Sequence, residues 1–242
     1  LAILHGVMSE IPLRGGSINQ VVRVGETVRR LPGPRDDFVH HLLVIFEQQG
    51  WTGAPRFLGI DGQGREVLSY LGGCTPADSH GHPGHSLEGL TLLARLVRQF
   101  HDLTAGTPLA GDQEVVCHND LSPKNTVYSA AVPDRPIAFI DWDLVAPVAH
   151  MCWQYLNLGP DAEVRASADR LQSLCDAYGI DDRDAVVDTI LWWQERCRRG
   201  IESGAAEGDA AMVALRNTGT VDMVRAAHAW VARHRGQLAA GR

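Results

Sequence analysis

No CxxC pair, no hydrophobic run of transmembrane length, no repeat at solenoid periods and no surplus of positive charge occur in these 242 residues. Each absence removes a class of protein. The five cysteines (Cys74, Cys117, Cys152, Cys175, Cys197) are odd in number and scattered, so they read as small buried hydrophobes in a reducing compartment, not as a disulfide framework. The opening Leu1-Ala2-Ile3-Leu4 is too short for a signal h-region, and no stretch approaches a membrane span; the expectation is a cytoplasmic protein without a membrane partner. Residues before Met8, the first methionine, are given no functional weight. A formal charge of −7 argues against a nucleic-acid partner held by phosphate neutralisation. With 45% hydrophobic residues, the chain can bury a sizeable core as one large domain or two small lobes.

What is present changes character near residue 71. Before it the pattern is short and strand-like: residues 21–24 and 27–30 flank a Gly25-Glu26 turn, a helix is expected over 36–49 with Gly50 as its stop, and strands over 56–60 and 66–70 join through Asp61-Gly62-Gln63-Gly64. Strand, strand, helix, strand, strand makes a small antiparallel sheet carrying one helix. Leu71-Gly72-Gly73 and the Pro/Gly/His-rich residues 75–85 predict a hinge and a loop, dividing the chain into lobes of residues 1–70 and 71–242. Ser86 is expected to cap a helix to about Thr104, with Leu90, Leu93, Val97 and Phe100 at helical spacing and Gly106 past its end. Short strands are expected at 115–117, 126–128 and 137–140, and three or four amphipathic helices over 161–242.

Two segments carry chemistry. His118-Asn119-Asp120-Leu121-Ser122-Pro123-Lys124-Asn125 lies between expected strands, and Ile140-Asp141-Trp142-Asp143 follows it. A loop so placed can aim Asp120 at a hydroxyl while Asn125 turns back toward a metal. Asp141, at the end of an apolar strand, offers a hard oxygen to magnesium. Phosphoryl transfer to an alcohol needs this set together with donors for the triphosphate. Asp143 shares the face of Asp141 if the strand continues, and either assists the site or caps the next turn. Arg14-Gly15-Gly16-Ser17-Ile18-Asn19 is either a phosphate loop, through the backbone N–H groups of Gly15, Gly16 and Ser17, or a plain turn.

These segments resemble those of the aminoglycoside phosphotransferase family, a branch of the protein-kinase-like fold that includes choline and fructosamine kinases. The resemblance implies an α+β, two-lobed protein-kinase-like fold with a small antiparallel-sheet N-lobe and a mainly helical C-lobe. It implies Asp120 as catalytic base, His118 as the structural member of its loop, Asn125 and Asp141 as Mg2+ ligands, and ATP in a cleft near the hinge at Ser69 and Leu71. A basic residue on the third strand would hold the α- and β-phosphates. Arg29 fits, with Val28 before it as the buried neighbour, and Arg30 is the alternative. The implied reaction moves the γ-phosphoryl group to a small-molecule hydroxyl acceptor, an aminoglycoside or similar antibiotic first, and an amino alcohol, sugar or fructosamine second.

Two departures stand against the family pattern. The helix stretch Phe38-Val39-His40-His41-Leu42 holds no glutamate to pair with the strand cation, and Glu47 lies too far along. Residues 146–151 hold no acid. Both motivate a nucleotide-binding pseudokinase as the competing reading. His80, His82 and His85 read as solvated, Trp193 as core, and Asp188, Glu195 and Asp222 either as helix-face charges or as receivers of a cationic acceptor.

Overall fold

The computed structural model describes residues 9–13, 21–33, 35–75, 86–118, 120–132, 134–142 and 148–240. The turn at Gly25, where φ is +60°, folds β2 (Val22–Val24) back on β3 (Thr27–Arg30), a conformation glycine adopts without strain. β1 (Ile11–Pro12) adds on one side, and β5 (Glu66–Ser69) and β4 (Phe57–Ile60) on the other. The result is an antiparallel sheet in the order β1-β2-β3-β5-β4, with Val28 opposite Leu68 and Arg30 opposite Glu66. Glu66 and Leu68 face inward from β5 while Val67 and Ser69 alternate outward, the period of two expected of a half-buried strand.

Helix α1 (Asp36–Gln48) buries Val39, Leu42, Leu43 and Phe46 along one stripe and ends before Gly50, at φ +71°. The stripe follows helical periodicity and covers the inner face of the sheet. Beyond the hinge, Cys74 exchanges backbone hydrogen bonds with Tyr128 (2.9 and 2.8 Å). Gly73 permits this approach, since a Cβ there would meet the Tyr128 carbonyl oxygen at 2.4 Å. The hinge is thereby fastened to the hairpin of β6 (Thr126–Tyr128) and β7 (Pro136–Phe139).

Ser86 accepts from the Gly89 N–H and caps α2 (Leu87–Thr104). The remainder is helical: α3 (Val148–Leu156), α4 (Val164–Tyr178), α5 (Arg183–Ala206), α6 (Ala210–Asn217) and α7 (Thr220–Ala240). Helix α2 packs on α4, and α5 packs on α3, α6 and α7. One hydrophobic cluster runs from α1 through Trp142 to α7, so the two lobes share a core. At their junction Trp142 meets Phe46, Phe100 and His118, and Trp51 donates to Gln99 of α2 (3.0 Å). None of the described helices is long and apolar enough to cross a membrane.

One expected strand is absent. Residues 115–117 are irregular, and the Val116 N–H donates to Thr104 Oγ1 (3.0 Å) instead of to a neighbouring strand. β-Propensity there finds no partner in β6, which is flanked by β7 and by the bridge to Cys74.

Candidate active site

The segment from His118 is a loop closed by a 3-10 turn at Pro123–Asn125. His118 is buried and used at both ring nitrogens: Nδ1 accepts from the Asp120 N–H (3.3 Å), and Nε2 reaches the Ile140 carbonyl oxygen (2.9 Å). A carbonyl only accepts, so the proton resides on Nε2. The imidazole cannot reach a substrate from this position. It joins the loop to the residue that precedes Asp141.

Asn125, also buried, faces the same centre. Its Nδ2 donates to Asp120 Oδ2 and to the Asp120 carbonyl oxygen (both 2.9 Å), and its own carbonyl accepts from the Ile140 N–H (2.9 Å). Asn125 is thus bonded directly to Asp120 and to Ile140, the residue that precedes Asp141. Asp141 is 48% exposed along its side chain and sits at φ +66°, a region that aspartate tolerates better than most residues. Trp142 beside it anchors the turn by donating Nε1–H to Phe139 (3.0 Å) inside the aromatic cluster.

The strand cation differs from expectation. Arg29 points to Thr27 Oγ1 (2.7 Å) and Asp61 (3.6 Å), on the side of the sheet away from Asp141. Residues 28 and 30 share the inner face, so Val28, half-buried against the core, selects Arg30 by parity. Arg30 reaches Asp141 Oδ1 through Nη1 (3.1 Å) and pairs through Nε with Glu66, which also accepts from His40 Nε2 of α1 (2.8 Å). No glutamate stands on α1 at this point; the carboxylate comes from β5.

Lys124 is a residue that sequence reasoning passed over. It is the chain's single lysine, and its Nζ lies 2.8 Å from Asp120 Oδ2. Composition held the signal, since every other cationic Lys/Arg position is arginine. From α5, Cys197 completes the surroundings: burial raises its thiol pKa, and the Asp120 charge adds to the shift.

Of the remaining expected nucleotide contacts, Ser69 uses Oγ to accept from the Arg56 N–H (2.8 Å), and Leu71 is half-buried at the start of the hinge. Gly15, Gly16 and Ser17 lie outside the described residues, as do Asp143 and the three histidines at 80, 82 and 85. Each proposed acidic receiver is already paired: Asp188 with Arg235 (2.6 Å), Glu195 with Arg198 (2.7 Å) and Arg199 (2.6 Å), and Asp222 with Arg225 (2.8 Å). Trp193 packs against the core, whereas Trp192 is exposed.

The donor set fits magnesium. Commitment of Asn125 Nδ2 to Asp120 leaves the amide oxygen as the end that can face a cation, and Asp141 adds a partly exposed carboxylate. Two hard oxygens suit an ion that keeps water and phosphate oxygens as its other ligands.

No protein-family model and no curated protein matches the sequence. Solved structures do match in fold. A choline/ethanolamine kinase family protein from Mesorhizobium loti aligns over 96% of this chain and 93% of its own, at 17% identity and a TM-score of 0.60. The GDP complex of aminoglycoside 2'-phosphotransferase-IIIa aligns over 93% and 94%, at 13% identity and 0.58. Aminoglycoside phosphotransferase APH(3'')-Id from Streptomyces rimosus, in complex with ADP and streptomycin, aligns over 73% and 88%, at 15% identity and 0.51. The chain has the two-lobed α+β fold of these proteins.

Proposed function

We propose that this chain is a phosphotransferase that moves the γ-phosphoryl group of ATP to a hydroxyl of a small molecule, with Mg2+ as cofactor. The observation that carries this reading is the linkage of the four residues: Asn125 bonds Asp120 and the backbone of Ile140 next to Asp141, and Asp141 pairs with Arg30. Residues 1–70 form the nucleotide lobe in this reading, and residues 71–242 carry the catalytic loop and receive the acceptor.

Asp120 is held at Oδ2 by Asn125 and Lys124, which leaves Oδ1 to accept the proton of the attacking hydroxyl. Arg30 presents a fixed fork of donors to the phosphates. Asn125 and Asp141 would hold magnesium, which neutralises developing charge on the β- and γ-phosphate oxygens when bound. His118 keeps Asp120 and Asp141 in mutual register, so positioning and preorganised charge supply most of the acceleration.

For the acceptor, we favour an amine-bearing polyol such as an aminoglycoside, with an amino alcohol, sugar or fructosamine second. The fold neighbours include a choline/ethanolamine kinase family protein and an aminoglycoside phosphotransferase holding streptomycin. A formal charge of −7 is compatible with a cationic acceptor. The pseudokinase reading rested on the missing helix glutamate and on the missing acid over 146–151, and Glu66 weakens the first motive by pairing with Arg30.

Incubation with ATP, magnesium and a panel of aminoglycosides, amino alcohols and sugars, read by mass spectrometry, tests the assignment. The expected result is a phosphorylated acceptor that disappears in Asp120→Asn while MgATP binding persists. MgATP binding with no product across the panel would favour the pseudokinase instead. A parallel GTP arm reports the nucleotide preference.

A further inference from the structure

The cation on β3 carries its own anchor within the sheet. Arg30 and Glu66 are direct partners in the β3/β5 register, and Arg30 Nε pairs with Glu66 Oε1. Glu66 is 1% exposed, and its second oxygen, Oε2, receives His40 Nε2 at 2.8 Å. The His40 ring is fixed in turn by stacking on Phe57 of β4, with centroids 3.7 Å apart and planes 14° from parallel. Both carboxylate oxygens are therefore engaged, one from the sheet and one from the helix. With the Nε side of the guanidinium on Glu66, Nη1 is directed to Asp141 at 3.1 Å.

We propose that Glu66 and His40 act as positioning residues that aim Arg30 at the triphosphate and Asp141. The orienting carboxylate lies on β5, and α1 is coupled to it through the ring N–H of His40. The inference rests on the phosphotransferase reading and deepens it. A buried carboxylate with one strong donor on each oxygen has little freedom to rotate, and a guanidinium bound along its Nε edge is fixed in plane as well as in place. Loss of the His40 donor would leave Oε2 buried without that partner and free Glu66 to turn, and Arg30 would turn with it.

The test measures MgATP affinity by calorimetry in the wild type, His40→Phe, His40→Gln and Arg30→Ala, and in the His40→Phe/Arg30→Ala double variant. No acceptor is required. Phenylalanine keeps the ring against Phe57 but cannot donate, so binding should weaken about tenfold, and glutamine, whose amide can donate, should restore most of it. Combined with Arg30→Ala, His40→Phe should cause no further loss, because its effect passes through Arg30. A merely structural histidine would lower affinity in both backgrounds alike, and that result would overturn the proposal. So would wild-type affinity in His40→Phe. Should His40→Phe fail to fold, Glu66→Gln provides the second arm: its affinity should fall at least tenfold in the wild-type background and stay unchanged with Arg30→Ala, and equal losses in both would overturn the proposal. A wild type that does not bind MgATP would instead sink the functional reading and the inference with it.

Discussion

His118 donates through Nε2 to the carbonyl oxygen of Ile140 at 2.9 Å, and that bond joins the two candidate catalytic segments across 22 residues of sequence. Replacing His118 with alanine removes a buried donor and leaves a void beside Trp142. The expected cost is about 2–4 kcal/mol of stability and roughly a hundredfold in kcat as Asp120 and Asp141 lose register. Thermal melts and steady-state kinetics on one preparation check both; an unchanged kcat would show that the register is set elsewhere.

Arg29 and Arg30 are neighbours with opposite fates. Arg29→Ala removes partly exposed contacts to Asp61 and Thr27 and should cost under about 1 kcal/mol of stability with kinetics unchanged. Arg30→Ala removes the cation from Glu66 and Asp141 together and should raise the nucleotide KM by about thirtyfold or more. Equal kinetic effects from the two variants would refute the assignment of inner and outer faces.

Lys124 stands exposed beside Asp120, so its ion pair should add little to stability, on the order of 0–1 kcal/mol. Its value is expected in the transition state, where a compact cation next to the attacking hydroxyl offsets charge. Lys124→Met should melt within a degree or two of the wild type, yet lose about tenfold in kcat with nucleotide affinity retained. A proportional loss of MgATP binding would make Lys124 a nucleotide contact instead.

Stability should depend on His101. Burial pushes this imidazole down to about 4 from the ordinary 6.5, with the Asp102 charge opposing and Arg98 assisting, while Nδ1 meets the Tyr178 hydroxyl at 2.6 Å. Between those two values the unfolded chain binds a proton that the folded chain refuses. Stability therefore falls as pH drops from about 6.5 toward about 4 and levels off below, by a total on the order of 3 kcal/mol. Urea unfolding of the wild type and His101→Gln across that window isolates the contribution. Parallel curves for the two would count against a neutral buried His101.

The order of the two catalytic segments, the hairpin at Gly25 and the cap at Ser86 were legible because each rests on local chemistry. Arg30 was within reach of the same reasoning, since alternation places it on the face of Val28. Glu66 was not: its partner is fixed by cross-strand register 36 residues away, which no local pattern encodes. His40 was visible only as the absence of a glutamate. Residues 115–117 show the converse failure, a strand-like composition whose Val116 N–H goes to a side chain of α2 instead of to a strand.

The pairing of Arg30 with Glu66 bears on control. Where the counter-ion of a strand cation sits on a helix, swinging that helix breaks the pair and can turn a kinase-like site off. In this chain both members of the pair belong to adjacent strands. A swing of α1 would remove the His40 donor and loosen the aim of Arg30, yet both charges of the pair would stay on the sheet, so α1 would tune the site by degrees and not act as an on–off switch.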